Sequence, residues 1–242
     1  MTRIKFCGLT RPCDIEAANE LKPDYIGFVF ARKSKRYVDP AAAKELKVLL
    51  DPEIKVVGVF VDEDLEKLAD LLNNRVIDLA QLHGSEDEDY IRRLRQLADK
   101  PIIKAFRMDE TCQAGQNVQA GLADQTDSEG RTDQTDTEDR ADRLETSQDS
   151  IIQEILQSSA DYVLIDSGAG PGQVFNWNRI KDIDRPFFLA GGLNPSNAGR
   201  AVAALNPYAL DVSSGIETDG VKDPEKMRMF VENVRTIIEH QS

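Results

Sequence analysis

Cys7 and Asp166 each close a strand-length apolar run, the position at which the catalytic groups of a β/α barrel lie. Cys7 closes the short apolar run Ile4–Cys7 and is followed by Gly8-Leu9-Thr10. A lone cysteine is more often a small buried hydrophobe than a catalytic group. Asp166 closes Tyr162-Val163-Leu164-Ile165. Ending a dry strand with a carboxylate is costly unless the charge is paired or used; a cap for the following loop is the structural alternative. The glycine-rich stretch after it, Ser167 to Gly172, reads as a mobile cover over a ligand.

Two further segments suit an anion. Phe187–Ala190 breaks into Gly191-Gly192-Leu193-Asn194-Pro195, and Leu210–Val212 breaks into Ser213-Ser214-Gly215. Small residues at such a break release backbone N–H groups, and an Asn-Pro helix start places a helix N-terminus beside them. Alone, either segment reads as an ordinary glycine turn. Side by side at the end of a β/α series, Gly191, Gly192, Ser213, Ser214 and Gly215 form a phosphate cup. The run Arg32-Lys33-Ser34-Lys35-Arg36 is either a solvated loop or a carboxylate site, for which the planar fork of Arg36 is best suited. His83 reads as a residue lining the pocket in preference to an acid or base. Lys104 and Arg107 either pair with acidic neighbours or hold a ligand anion.

The elements that must position these residues are eight strand-length apolar runs: Ile4–Cys7, Tyr25–Phe30, Val56–Val61, Ile77–Leu82, Ile102–Phe106, Tyr162–Asp166, Phe187–Ala190 and Ala209–Val212. Continuous apolar runs suit parallel strands covered on both faces. Helical patterns lie between them. Asp39-Pro40 opens Ala41–Leu50, Ser85-Glu86-Asp87-Glu88 reads as a capping box, and Asp223-Pro224 opens a helix carrying Met227, Phe230, Val231, Val234, Ile237 and Ile238 on one stripe. Alternation of this kind predicts a (β/α)8 TIM barrel in the α/β class, with a doubly wound sheet as the alternative.

One single-domain barrel over 1–242 is expected. The fifth and sixth strands start 60 residues apart, and the interval holds a repeated Asp-Gln-Thr-Asp at 124–127 and 133–136. Residues 109–149 carry a net charge of −9 out of −13 for the chain, and no large apolar residue lies between Ala123 and Leu144. A low-complexity, disordered insertion after strand five is the expectation, because such a tract buries too little surface to offset its ordering entropy. The acidity argues against nucleic acid. Apolar runs too short to span a bilayer and the absence of a secretory leader predict a cytoplasmic protein without a membrane partner. Three cysteines without a CxxC spacing and two distant histidines give no zinc or disulfide framework.

In order along the chain, Lys5-Phe6-Cys7-Gly8-Leu9-Thr10, Gly27-Phe28-Val29-Phe30 with Ser34-Lys35-Arg36-Tyr37, Val57-Gly58-Val59-Phe60-Val61, Gln81-Leu82-His83-Gly84, Leu164-Ile165-Asp166, Ala190-Gly191-Gly192-Leu193-Asn194-Pro195 and Asp211-Val212-Ser213-Ser214-Gly215-Ile216-Glu217 resemble phosphoribosylanthranilate isomerase of tryptophan biosynthesis. The resemblance spans the chain except the acidic tract, which is not part of the family pattern. A second departure is Asn176 in Phe175-Asn176-Trp177, where the family usually has aspartate.

The resemblance implies an Amadori rearrangement of a phosphosugar, with Cys7 as base and Asp166 as acid. It places Arg36 on the anthranilate carboxylate and the glycine and serine amides on the phosphate. Neither a metal nor an organic cofactor is implied, since the iminium intermediate is its own electron sink. A monomer is expected, with a homodimer as the alternative. Three rival readings remain: the histidine-pathway isomerase, which has an aspartate in place of Cys7; a non-catalytic phosphosugar-binding barrel; and a scaffold recruiting a partner through the acidic tract.

Overall fold

The computed structural model describes residues 1–108, 150–166, 177–181 and 183–241. Eight parallel strands close into one ring in chain order: β1 (Arg3–Cys7), β2 (Tyr25–Val29), β3 (Lys55–Phe60), β4 (Leu79–Leu82), β5 (Ile102–Arg107), β6 (Tyr162–Asp166), β7 (Phe187–Ala190) and β8 (Ala209–Val212). β8 pairs back onto β1, with Lys5 opposite Asp211. Around them run α1 (Pro12–Leu21), α2 (Pro40–Val48), α3 (Leu65–Asn73), α4 (Glu88–Leu97), α5 (helical residues 150–157), α6 (Pro195–Leu205) and α7 (Pro224–Gln241). This is the (β/α)8 barrel expected from the sequence. Among the described residues no helix is long and apolar enough to cross a membrane.

Because side chains alternate along a strand, each strand serves two cores. Outward residues such as Phe6, Ile26, Phe28 and Phe60 pack against helix residues such as Ile15, Leu68, Leu94 and Phe230. Inward residues, among them Tyr25, Val57, Leu79, Ile103, Leu164 and Phe188, fill the barrel itself. Each fully buried large apolar side chain contributes about 1.5–3 kcal/mol. The lower end is closed by aromatics: Tyr208 hydrogen-bonds Tyr25 (3.0 Å) and Tyr162 (3.1 Å), and the Arg3 guanidinium lies over its ring. The upper end is left for polar residues.

A recurrent aspartate fixes the strand starts. Asp24, Asp78 and Asp161 each stand one residue before an even-numbered strand, and each accepts a backbone N–H from the preceding odd strand: Ile4 (2.9 Å), Val56 (2.8 Å) and Ile102 (2.8 Å). A donor at the barrel's lower rim, which has no ladder partner there, is thereby satisfied.

The structure corrects three element assignments. β4 begins at Leu79 instead of Ile77, because Val76 and Ile77 donate their N–H groups to Leu71 O and close the end of α3. Helix α2 stops at Val48. The cap of α4 is Asp87, which accepts from Tyr90 N, while the Ser85 hydroxyl donates to Asp62 and Glu86 is buried. A short ribbon, β9 (Glu217–Thr218) with β10 (Val221–Lys222), follows β8 and was not anticipated. The insertion at 109–149, the glycine-rich stretch 167–172 and Asn176 lie outside the described residues.

Candidate active site

Cys7 and Asp166 end β1 and β6, three strands apart around the ring by way of β8 and β7. Both line one cleft of about 310 Å³ at the C-terminal end of the barrel, together with His83, Arg107, Gly192 and Ser214. A cleft at this face, built from several strand ends, is where barrel catalytic groups gather.

Cys7 is buried. Its backbone is fixed by the Ser213 hydroxyl, which donates to Cys7 O (3.1 Å). The neighbouring strand gives way to the sulfur: a Cβ on Gly27 would stand 2.9 Å from Sγ. Burial pushes the thiol above its ordinary value, against the pull of Lys5 and Lys222.

Asp166 is partly exposed and faces His83, with Nε2 3.5 Å from Oδ2. The other ring nitrogen, Nδ1, lies 2.9 Å from the side-chain amide of Gln81, two residues earlier on the inward face of β4. Gln81 is buried and its Oε1 has no hydrogen-bond partner among the described residues. His83 therefore lines the cleft as expected, and it also links Gln81 to the carboxylate.

The two loops expected to form an anion cup meet backbone against backbone. Gly191 (φ +89°) and Gly192 (φ +61°) turn through the left-handed region that favours glycine. The Gly192 carbonyl accepts from the side-chain amides of Asn194 (3.3 Å) and Asn197 (3.0 Å), and Asn194 caps α6 through Ser196 N. Gly192 is thus tied to the helix N-terminus. The loop after β8 presses directly onto this turn, since a Cβ on Gly215 would lie only 1.8 Å from Leu193 O. Gly191, Gly192, Ser213 and Ser214 line the cleft. Gly215 is not among its lining residues; its part is to permit the contact between the two loops.

Arg36 reaches this region from the connection after β2. Its side chain lies over Gly8, where a Cβ would meet Cδ at 2.4 Å. Nε and Nη2 donate to the two oxygens of Glu217, both at 2.6 Å. Glu217 also accepts from Lys222 Nζ (2.6 Å), and Lys222 donates onward to Ser213 O (2.9 Å). Burial pushes the Glu217 carboxyl up, but these two donors more than reverse it and hold it below the usual glutamate value. The fork of Arg36 therefore has its Nε–Nη2 edge occupied, and the Nη1 side completes its donor set.

The structure separates the two cations of β5. Arg107 lines the cleft. Lys104 donates to Gly84 O (2.8 Å) and pairs with Glu86 (3.3 Å), a support for the loop after β4. Sequence reasoning missed Lys5, Gln81, Asp211, Glu217 and Lys222. Lys5 and Asp211 carried a signal: each is an isolated charge inside an apolar strand, of opposite sign, on the two strands that meet when a barrel closes. Glu217 and Lys222 carried none, because the two-residue strands that pair them are too short to show a pattern.

The family model for "N-(5'phosphoribosyl)anthranilate (PRA) isomerase" matches residues 4–135 and 139–233. A relative from Thermoanaerobacter sp. (strain X514), N-(5'-phosphoribosyl)anthranilate isomerase, is 40% identical over 239 residues, covering 98% of this chain and 100% of that protein. Among solved structures, phosphoribosyl anthranilate isomerase from Thermotoga maritima superposes with a TM-score of 0.72 at 30% identity, covering 98% of this chain and 100% of the other. A second, a phosphoribosyl anthranilate isomerase in complex with reduced 1-(o-carboxyphenylamino)-1-deoxyribulose 5-phosphate, gives a TM-score of 0.69 at 30% identity, covering 98% of this chain and 100% of the other.

Proposed function

The chain belongs to the N-(5'-phosphoribosyl)anthranilate isomerase family, and from that premise we propose how its residues divide the reaction. The activity is the Amadori rearrangement of N-(5-phosphoribosyl)anthranilate to 1-(2-carboxyphenylamino)-1-deoxy-D-ribulose 5-phosphate, a step of tryptophan biosynthesis.

Asp166, protonated, donates to the ribose ring oxygen; the bond from that oxygen to C1 breaks and C1 becomes an iminium carbon. Cys7, as thiolate, removes the C2 proton, and the electron pair passes toward the iminium nitrogen to give an enolamine. The enolamine then takes a proton at C1 and loses one from the C2 hydroxyl, leaving the ketone. A base and an acid on different strands can address C2 and the ring oxygen without exchanging places. His83, held by Gln81, orients Asp166. The phosphate sits against the amides of Gly191, Gly192, Ser213 and Ser214, and the anthranilate carboxylate takes the Nη1 side of Arg36.

The observation that carries this reading is a single cleft holding a cysteine and an aspartate at separate strand ends, with the glycine–serine cup in the same cleft. Phosphosugar binding alone requires the cup and neither of the other two. Cys7→Ser and Asp166→Asn should each lower kcat by about 10²–10⁴-fold, with affinity for the reduced product analogue nearly unchanged. Near-normal kcat in Asp166→Asn would remove the proton-donor assignment.

A further inference from the structure

The wall beneath Cys7 holds a charge pair that the acid–base scheme does not use. Lys5 precedes Cys7 by two residues on β1, so the strand's period of two sends both side chains to the barrel interior. Lys5 is fully buried, and Nζ donates to Asp211 Oδ2 at 2.9 Å on the adjoining β8. Lys5 and Asp211 are register partners, so the ladder itself holds the pair together. The other oxygen of Asp211, Oδ1, is buried without a hydrogen-bond partner among the described residues.

Lys5 also faces the sulfur. A Cβ on Gly27 would stand 2.9 Å from Cys7 Sγ and 3.3 Å from Lys5 Nζ, so the side chain missing from Gly27 leaves the space in which ammonium and sulfur meet. The charges that act on Cys7 are Lys5, Asp211, Lys222 from the ribbon and Arg36 from the connection after β2, and Glu217 pairs with the last two. His83, Arg107 and Asp166 line the same cleft. Buried charges need partners, and the ammonium groups of Lys5 and Lys222 are the ones that favour an ionised sulfur.

We infer that Lys5, anchored by Asp211, is a positioning residue that stabilises the thiolate of Cys7 against the burial that opposes it. The thiol proton leaves to water in the open cleft, and the ammonium facing the sulfur balances the charge that remains. Burial opposes ionisation, Lys5 and then Lys222 favour it, and the Asp211 carboxylate works against it. The two members of one ion pair therefore act on the sulfur with opposite signs. The effect on the thiol stands independently of the reaction; its effect on turnover rests on Cys7 being the base.

The test titrates Cys7 in the full-length, ligand-free protein through the pH dependence of its alkylation by iodoacetamide, in a Cys13→Ser, Cys112→Ser background. The pH profile of kcat/KM is measured alongside. Lys5→Met should move the thiol midpoint up by about one pH unit or more, an approximately tenfold slower alkylation at any pH below both midpoints. Asp211→Asn should move it down. Opposite shifts from the two partners are not what a purely structural pair produces. An unmoved midpoint in folded Lys5→Met overturns the inference. Should Lys5→Met fail to fold, Lys5→Gln is titrated in its place: an upward shift supports the inference, and an unmoved midpoint overturns it. A kcat/KM profile that follows the thiol supports both roles. A shifted thiol with an unmoved profile supports the hold of Lys5 on the sulfur and overturns Cys7 as base.

Discussion

At the scale of single residues, the cleft is bordered by groups already bound to one another. Arg36 keeps one edge on Glu217, which fixes the direction of the rest of its fork. Arg36→Lys preserves a positive charge beside Glu217 but loses that planar geometry. It should raise KM for the substrate by about ten- to a hundredfold, the worth of one or two charge-assisted hydrogen bonds, while binding of inorganic phosphate stays unchanged. Equal losses for both ligands would place Arg36 in general electrostatics. Glu217 also makes a pH prediction. Its folded-state carboxyl lies below the ordinary value of 4.5, so its stabilisation is complete above that pH and is lost as pH falls through the folded value. The gap in Tm between the native protein and Glu217→Gln should therefore be widest near neutrality and narrow below about pH 4.5. Cys7, Asp166, His83 and the glycine pairs were legible in the sequence because each sits at a break in an apolar run. Lys5 and Asp211 sit inside such runs, and their meaning appears only when β1 and β8 are seen to adjoin.

At the scale of elements, strand ends were read to within a residue or two wherever the apolar run was bounded by charge or proline, as at Tyr162–Asp166 and Phe187–Ala190. The errors arose where a helix terminus borrowed apolar residues from the following strand, as Val76 and Ile77 do in closing α3. They also arose where a capping signature served another purpose, as with the buried Glu86. The aspartates before β2, β4 and β6 supply one expectation, and the cap of α6 supplies another. Asp78→Ala leaves the Val56 N–H without its acceptor and should cost about 1–3 kcal/mol in chemical denaturation. Asn194→Ala removes both the cap of α6 and a donor to Gly192 O. A loss of about 0.5–2 kcal/mol in stability, accompanied by weaker phosphate binding, is expected. Intact phosphate affinity in the folded variant would detach the cup from the helix.

At the scale of the whole molecule, barrel closure does not require the acidic tract. β5 and β6 pair directly over Ile103–Arg107 and Tyr162–Asp166, so the ring is complete on either side of residues 109–149. Replacing Cys112–Leu144 with a short Gly/Ser linker should therefore preserve the fold and kcat, because loop length alters closure entropy by only about 0.6 kcal/mol per doubling. The deletion also removes much of the net −9 carried by residues 109–149. If that charge repels the doubly anionic substrate, kcat/KM should rise at low ionic strength and the gain should fade in salt. Loss of kcat in a folded deletion variant would make the tract part of the active site. The central claim, that Cys7 takes the C2 proton and Asp166 opens the ring, is tested most directly by turnover of substrate deuterated at C2. Cys7→Ser should slow proton removal until it limits the rate, enlarging the isotope effect on kcat above that of the native enzyme, whereas Asp166→Asn should make ring opening limiting and suppress the effect toward unity. An isotope effect enlarged in Asp166→Asn and suppressed in Cys7→Ser would contradict the assignment.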